Sequence, residues 1–253
     1  MRTRLLIGMG LAVSLLSLRA GASDSAAELA AGGITLLRSD GITMVSEDLT
    51  ISINEIKVAY VFRNQTQAAI TTMVAFPVPE FDQHPDVDEN VDRVSKNPMG
   101  FSVKGDGKKV EFETEIKRKA GVVKVTHHWT QTFPPGRDLK VEHRYSPAWG
   151  SVFAGPDLGE QLTRTYCVGP TLLAALTKNS AYLQTVHYIL KSGANWKGPI
   201  QKFKLTLVKR TPKDKISLCM PDTEKASPTT FVVERTDFTP TEDLQVLFVP
   251  ANP

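Results

Sequence analysis

Apolar and polar residues alternate along much of this 253-residue chain. Ile56, Val58, Tyr60 and Phe62 alternate with Lys57, Ala59, Val61 and Arg63. A period of two puts the first set on one face of a β-strand. Ile70, Thr72, Val74 and Phe76 resume the pattern after the polar turn Asn64-Gln65-Thr66-Gln67, and Pro77 and Pro79 end it because proline cannot donate to a ladder. Val110, Phe112, Thr114 and Ile116 alternate with acidic and basic partners after the turn Gly105-Asp106-Gly107, which predicts a half-solvated strand leaving a hairpin. Further strands are predicted at Phe203–Leu207 and Leu244–Val249.

Helical signals are few. Pro170-Thr171 opens a segment carrying Leu172, Leu173 and Leu176 and ending at Lys178-Asn179, and Asp24–Ala31 (DSAAELAA) is read as a short N-terminal helix. The predicted fold class is mainly β, an antiparallel β-sandwich with one short internal helix and that short N-terminal helix. One domain over residues 23–253 is expected. The Pro/Gly-rich stretch 146–160 marks the internal boundary if there are two.

The first 22 residues stand apart. Arg2 and Arg4 precede the uncharged run Leu5–Leu18, and Ala20-Gly21-Ala22 supplies small residues for cleavage between Ala22 and Ser23. This is the layout of a secretory signal peptide, and the run is too short for a comfortable membrane span. The expected location is therefore periplasmic or secreted. Arg2, Arg4 and Arg19 leave with the signal, so 27 of the 30 basic side chains remain against 27 acidic ones. The +3 of the precursor vanishes, and nucleic acid is excluded as a partner on charge grounds. No second apolar run reaches the ~20 residues of a membrane helix. In an oxidising compartment Cys167 and Cys219, the only cysteines, are expected to form a disulfide.

Candidate chemistry is sparse. Val123, Val125, His127, Trp129 and Phe133 share one strand face before Pro134-Pro135-Gly136-Arg137, and Leu139, Val141, His143 and Tyr145 share one face after it. Read as a β-hairpin, the two strands make His127 and His143 direct or diagonal neighbours. Such a pair could bind a transition metal or act as acid and base, but no third ligand lies at local spacing. Asp86, Asp88, Asn90 and Asp92 follow the odd positions of a calcium loop. Val91 replaces the required Gly and Asn97 the bidentate Glu, so an EF-hand is excluded and only an irregular calcium site is left. Trp149, Phe153 and Trp196 sit in Gly/Pro-rich segments and are read as a binding rim. No G-x-S-x-G elbow, phosphate loop or dinucleotide fingerprint occurs.

The segments Asp24–Ile34 (DSAAELAAGGI), Asp40–Ser52 (DGITMVSEDLTIS), Tyr60–Asn64 (YVFRN), Val74–Pro79 (VAFPVP), Phe133–Tyr145 (FPPGRDLKVEHRY) and Asn195–Ile200 (NWKGPI) carry a resemblance to the exported bacterial proteins of domain of unknown function 4424. The resemblance implies a Gram-negative envelope protein and brings no catalytic residues with it. Ile56–Pro79 also looks like the opening of vault/inter-alpha-trypsin-type β-domains, a likeness of supersecondary structure alone. The expected function is a non-catalytic module binding a small ligand or an envelope partner, with no cofactor. One rival is a metalloprotein or hydrolase built on the histidine pair. The other is an assembly component that pairs through a sheet edge.

Overall fold

The computed structural model describes residues 25–30, 33–83, 88–89, 91–179 and 181–251, so the proposed signal peptide lies outside the described residues. The centre is an eight-stranded sheet, ordered Glu224–Lys225, Thr230–Phe238, Ile200–Val208, Ile42–Ser52, Ile56–Asn64, Asp138–Tyr145, Ser102–Gly105 and Lys108–Lys109. Neighbours run antiparallel except Ile42–Ser52 and Ile200–Val208, which pair in parallel from Ser46 with Lys202 to Ser52 with Val208. A parallel pair requires a crossover. Here the crossover is the chain between residues 52 and 200, so this pairing fastens the two ends of the sequence together.

The central sheet is apolar on one side only. Ile56, Val58, Tyr60 and Phe62 are buried while Lys57, Ala59 and Arg63 are exposed, and Leu139, Val141, His143 and Tyr145 repeat the pattern. Such a face must be covered. Two sheets cover it, and the whole is sandwich-like. The second sheet is ordered Glu113–Lys119, Val122–Phe133, Ile70–Pro77, Ser25–Ala30 and Gly33–Leu37, with Phe81–Asp82 also paired to Val122–Phe133. It meets the central sheet through Phe62 and Phe133 (ring centroids 5.8 Å apart) and through His143 and Trp129 (5.3 Å). The third sheet is ordered Lys215–Ser217, Leu244–Val249, Ala181–Tyr188, Trp149–Ala154 and Asp88–Glu89. Its inner face sends Val186, Tyr188, Val246 and Phe248 into the common core. Its outer face, with Leu183 and Leu247, packs against Leu162, Tyr166 and Leu176 of the helices Gly159–Tyr166 and Pro170–Asn179.

The internal helix at Pro170 is present as expected, and it is preceded by a second helix, Gly159–Tyr166, that starts at the end of the Pro/Gly-rich stretch and that the sequence pattern does not signal. The N-terminal helix is corrected: Ser25–Ala30 is a strand, paired with Gly33–Leu37 and with Ile70–Pro77. So short a segment forms a marginal helix at best, and sheet pairing overrides its helix propensity. The hairpin of the histidine segments is also corrected. Val122–Phe133 pairs with Glu113–Lys119 and Ile70–Pro77, whereas Asp138–Tyr145 pairs with Ile56–Asn64 and Ser102–Gly105. The turn at Pro134–Arg137 therefore arches from one sheet to the other. The hairpin at Asp106-Gly107 forms as read, with both residues at positive φ in a two-residue loop.

Cys167 and Cys219 are bonded, 52 positions apart, and tie the end of the first helix to the segment after Lys215–Ser217. Ser217 Oγ donates to the Tyr166 carbonyl at 2.8 Å alongside. Closing a loop of that length stabilises by about 4 kcal/mol in the chain-entropy model. Replacing both cysteines by serine is expected to lower stability by about 2–4 kcal/mol, a fall in Tm of roughly 5–15 °C for a chain of this size. Calorimetry under non-reducing conditions measures it; an unchanged Tm would show that the bridge closes a loop that is already closed.

Candidate functional site

His127 and His143 both point into the core between the central and second sheets. His127 is fully buried, with Phe101 stacked on its ring at 4.1 Å and 6° and Thr114 Oγ1 at 3.0 Å from its Nδ1. His143 lies edge-on to Phe76 (4.8 Å), Trp129 (5.3 Å) and Tyr60 (5.4 Å). Phe101 touches both imidazoles and is held by Asn97, whose Nδ2 donates to the Phe101 carbonyl and whose Oδ1 accepts its N–H. Burial drives His127 down to about 3, helped by neighbouring His128, and burial with His127 beside it drives His143 well below its usual value. Both rings are neutral across the physiological range. Among the described residues, no third His, Cys, Asp or Glu joins them in a cluster able to hold a metal ion.

Glu47 is the buried acid that motif reading missed. The strand Ile42–Ser52 changes register between Met44 and Ser46, leaving Val45 as an extra residue. That bulge turns the inward parity from Met44 to Glu47, Leu49 and Ile51. The alternation Glu47-Leu49-Ile51 was the available signal. Tyr188 Oη of the third sheet lies 3.1 Å from Glu47 Oε1 and 2.9 Å from Tyr60 Oη. Burial raises the Glu47 carboxyl to about 8, against the smaller opposing effect of the Tyr188 hydrogen bond. It raises the Tyr145 and Tyr188 phenols too.

The remaining candidates separate. Trp196 is buried against Phe62 (4.7 Å) and Phe133 (5.9 Å), which removes it from any rim: its indole fills the gap beside the arch. Trp149 is half-buried against the core, and Phe153 is exposed, with its ring 5.1 Å from that of Tyr182. Asp86 and Asn90 of the calcium loop lie outside the described residues, and of Asp88 only the backbone, paired with Gly150, is described. Asp92 accepts the N–H groups of Val94 and Ser95 at 3.1 Å.

A cleft of about 400 Å³ opens at the disulfide. Arg164 and Thr165 from the first helix form one wall, and Leu218–Pro221, including Cys219, forms another. Arg235, Phe238, the Thr241–Gln245 segment and Leu190 complete the lining. Several of its charges are already engaged. Arg235 donates to the carbonyls of Pro221 and Glu234 and pairs with Asp222 at 3.1 Å. Asp243 accepts the N–H groups of Leu190 and Lys191 at 3.0 Å and pairs with Lys191 at 3.5 Å. No spacing rule points to this cleft, because its walls come from positions between 164 and 245.

The fold places the chain among mainly β, sandwich-like proteins. The chain belongs to the family described as domain of unknown function (DUF4424), whose profile matches residues 22–127 and 118–247. No curated protein sequence matches it. Among solved structures, it is similar to a "putative nutrient binding protein" of Legionella pneumophila, at 18% identity and a TM-score of 0.57 over 90% of this chain and 70% of that one. That likeness is one of fold. A zinc metallopeptidase of Deinococcus radiodurans overlaps 85% of this chain and 44% of its own length at 12% identity and a TM-score of 0.32. The chain thus spans less than half of that enzyme, and the likeness bears on neither site nor activity.

The buried acid and imidazoles set opposite pH slopes. The histidines take up protons in the unfolded chain below about pH 6.5 but not in the folded one, so their contribution is present above that pH and is lost on acidification. The raised Glu47 works the other way: its contribution is complete below about pH 4.5 and gone above about pH 8. Between about 4.5 and 6.5 two histidines outweigh one carboxyl. A Tm maximum near about pH 6.5 is expected, with a loss on the order of 2 kcal/mol between about pH 6.5 and 8. Glu47→Gln, which keeps an amide beside Tyr188, is expected to flatten that alkaline limb in a pH series of thermal melts. An unchanged limb would mean Glu47 already ionises near its ordinary value.

Proposed function

We propose that this chain is an exported, non-catalytic binding module of the bacterial envelope that holds a small ligand in the cleft beside Cys167–Cys219. The cleft carries the reading, because it combines apolar side chains (Leu190, Leu218, Met220, Phe238) with a few charged groups at a scale suited to small molecules. The fold shared with a protein described as nutrient binding supports it. Export is supported by the first 22 residues and by the disulfide, which suits an oxidising compartment. The burial of His127 and His143 under Phe101 and Trp129 favours packing over catalysis for that pair.

A ligand at one hundred times its Kd stabilises the folded state by about 2.7 kcal/mol, several degrees in Tm. Thermal melts against amino acids, short peptides, sugars and dicarboxylates are expected to give such a shift for one class. Met220→Trp, which fills the cleft from its wall, is expected to abolish the shift while leaving the unliganded Tm nearly unchanged. A shift that persists in Met220→Trp would move the site elsewhere, and no shift with any probe would defeat the binding reading.

A further inference from the structure

Four charged side chains line the cleft, and two of them are spent on the protein itself. The Arg235 guanidinium is held by two carbonyls and Asp222, and the Asp243 carboxylate is held by two backbone N–H groups and Lys191. The Arg164 side chain has a 3.7 Å pairing with Glu160 on its own helix, in which both side chains are largely exposed. Among the described residues, nothing forms a hydrogen bond or ion pair with the Glu242 carboxylate. The apolar part of the lining is supplied by Leu190, Leu218, Met220, Phe238 and Leu244. The cleft therefore offers one available cation, one available anion and several apolar side chains beside them.

We propose that the ligand is a small zwitterion, a free amino acid or dipeptide with apolar side chains. Its carboxylate would be taken by Arg164 and its ammonium by Glu242. This rests on the binding reading above and gives it a chemistry. A dianion could pair one charge with Arg164 but would set the other against Glu242, and a dication would do the reverse; an unmatched like charge is costly. A neutral sugar could offer hydroxyl hydrogen bonds to Arg164 and Glu242 but would neutralise neither charge, whereas a zwitterion does both. A zwitterion satisfies both groups with charge-assisted hydrogen bonds while its side chain covers Met220 and Phe238. Arg164 suits the carboxylate because its planar fork can donate twice to it.

Titration calorimetry of the purified, oxidised protein tests this with L-leucine, L-methionine and Leu-Leu, each compared with its C-terminal amide and its N-acetyl derivative. Maltose and succinate serve as the neutral and dianionic probes. Free zwitterions are expected to bind, and blocking either end to weaken binding about tenfold or more. Arg164→Gln should weaken the free ligand yet leave little further loss on amidation, and Glu242→Gln should do the same for acetylation. That non-additivity assigns each ligand end to its residue. Blocked derivatives binding as well as free ones would overturn the zwitterion. So would maltose or succinate binding in a manner that Met220→Trp abolishes, although a small ligand in this cleft would then stand. Binding by no probe would overturn both readings.

Discussion

Everything in this fold answers to the inner face of the eight-stranded sheet, which is too apolar to meet water and too broad for one partner. The second sheet covers it through Phe133, Trp129 and Phe76, and the third through Tyr188, Val186 and Val246. Apolar contact alone gives this arrangement little direction, because it is proportional to area and indifferent to register. Direction comes from the few polar groups inside. Glu47 and Tyr60 of the central sheet both reach Tyr188 of the third. Parting Tyr188 from the central sheet would cost the Glu47 carboxyl and the Tyr188 phenol their mutual hydrogen bond inside the core, at about 1–3 kcal/mol for each buried group left unsatisfied. The network is incomplete in places: among the described residues, Glu47 Oε2, Tyr145 Oη and Trp129 Nε1 are buried without a hydrogen bond. The core thus gives up some stability where it gains a defined alignment.

Strand faces were largely legible in the alternation, and strand partners were not. The residues Ile56–Phe62 and Leu139–Tyr145 announce which side is dry, and the structure puts those sides inward. Alternation says nothing about which neighbour a strand takes, and the proline-rich turn between the histidine segments invited the nearest one. Asn64 decides otherwise. Fully buried, it donates from Nδ2 to the carbonyls of Phe133 and Ala68, while its own backbone carbonyl accepts the Gly136 N–H. That clamp ties the arch to the end of the central strand, so the chain crosses between sheets. In the sequence nothing marks the same asparagine, read as the start of a polar turn, as a clamp between sheets.

The sites were less legible for a related reason. Composition put Trp196 in a Gly/Pro-rich loop, where exposure is the usual expectation, yet its indole closes the core over Phe62 and Phe133. His127 and His143 were placed on the apolar faces, where the structure has them, but the face that suggested a ligand pair also strips their charge by burial. Glu47 hides because a single extra residue, Val45, reverses the parity of its strand. The cleft is harder still. Arg164, Met220, Arg235 and Glu242 become neighbours only after a helix, a disulfide and three strands are in place, so no local pattern records them.

The parallel pairing of Ile42–Ser52 with Ile200–Val208 makes the cleft dependent on residues far from it. The strand Thr230–Phe238 that carries Arg235 hangs on Ile200–Val208, which is anchored on its other side by Ile42–Ser52. On the opposite wall, Arg164 belongs to a helix seated on the third sheet, whose Tyr188 is bound to Glu47 of that same N-terminal strand. Both walls therefore refer back to one segment, Ile42–Ser52, although none of its residues lines the cleft. Within such a frame the disulfide acts locally. It holds Cys219 and the Leu218–Pro221 wall against the helix, beside the hydrogen bond from Ser217 to Tyr166. The spacing of the walls is set by the sheets, and the bridge keeps the outer one in place.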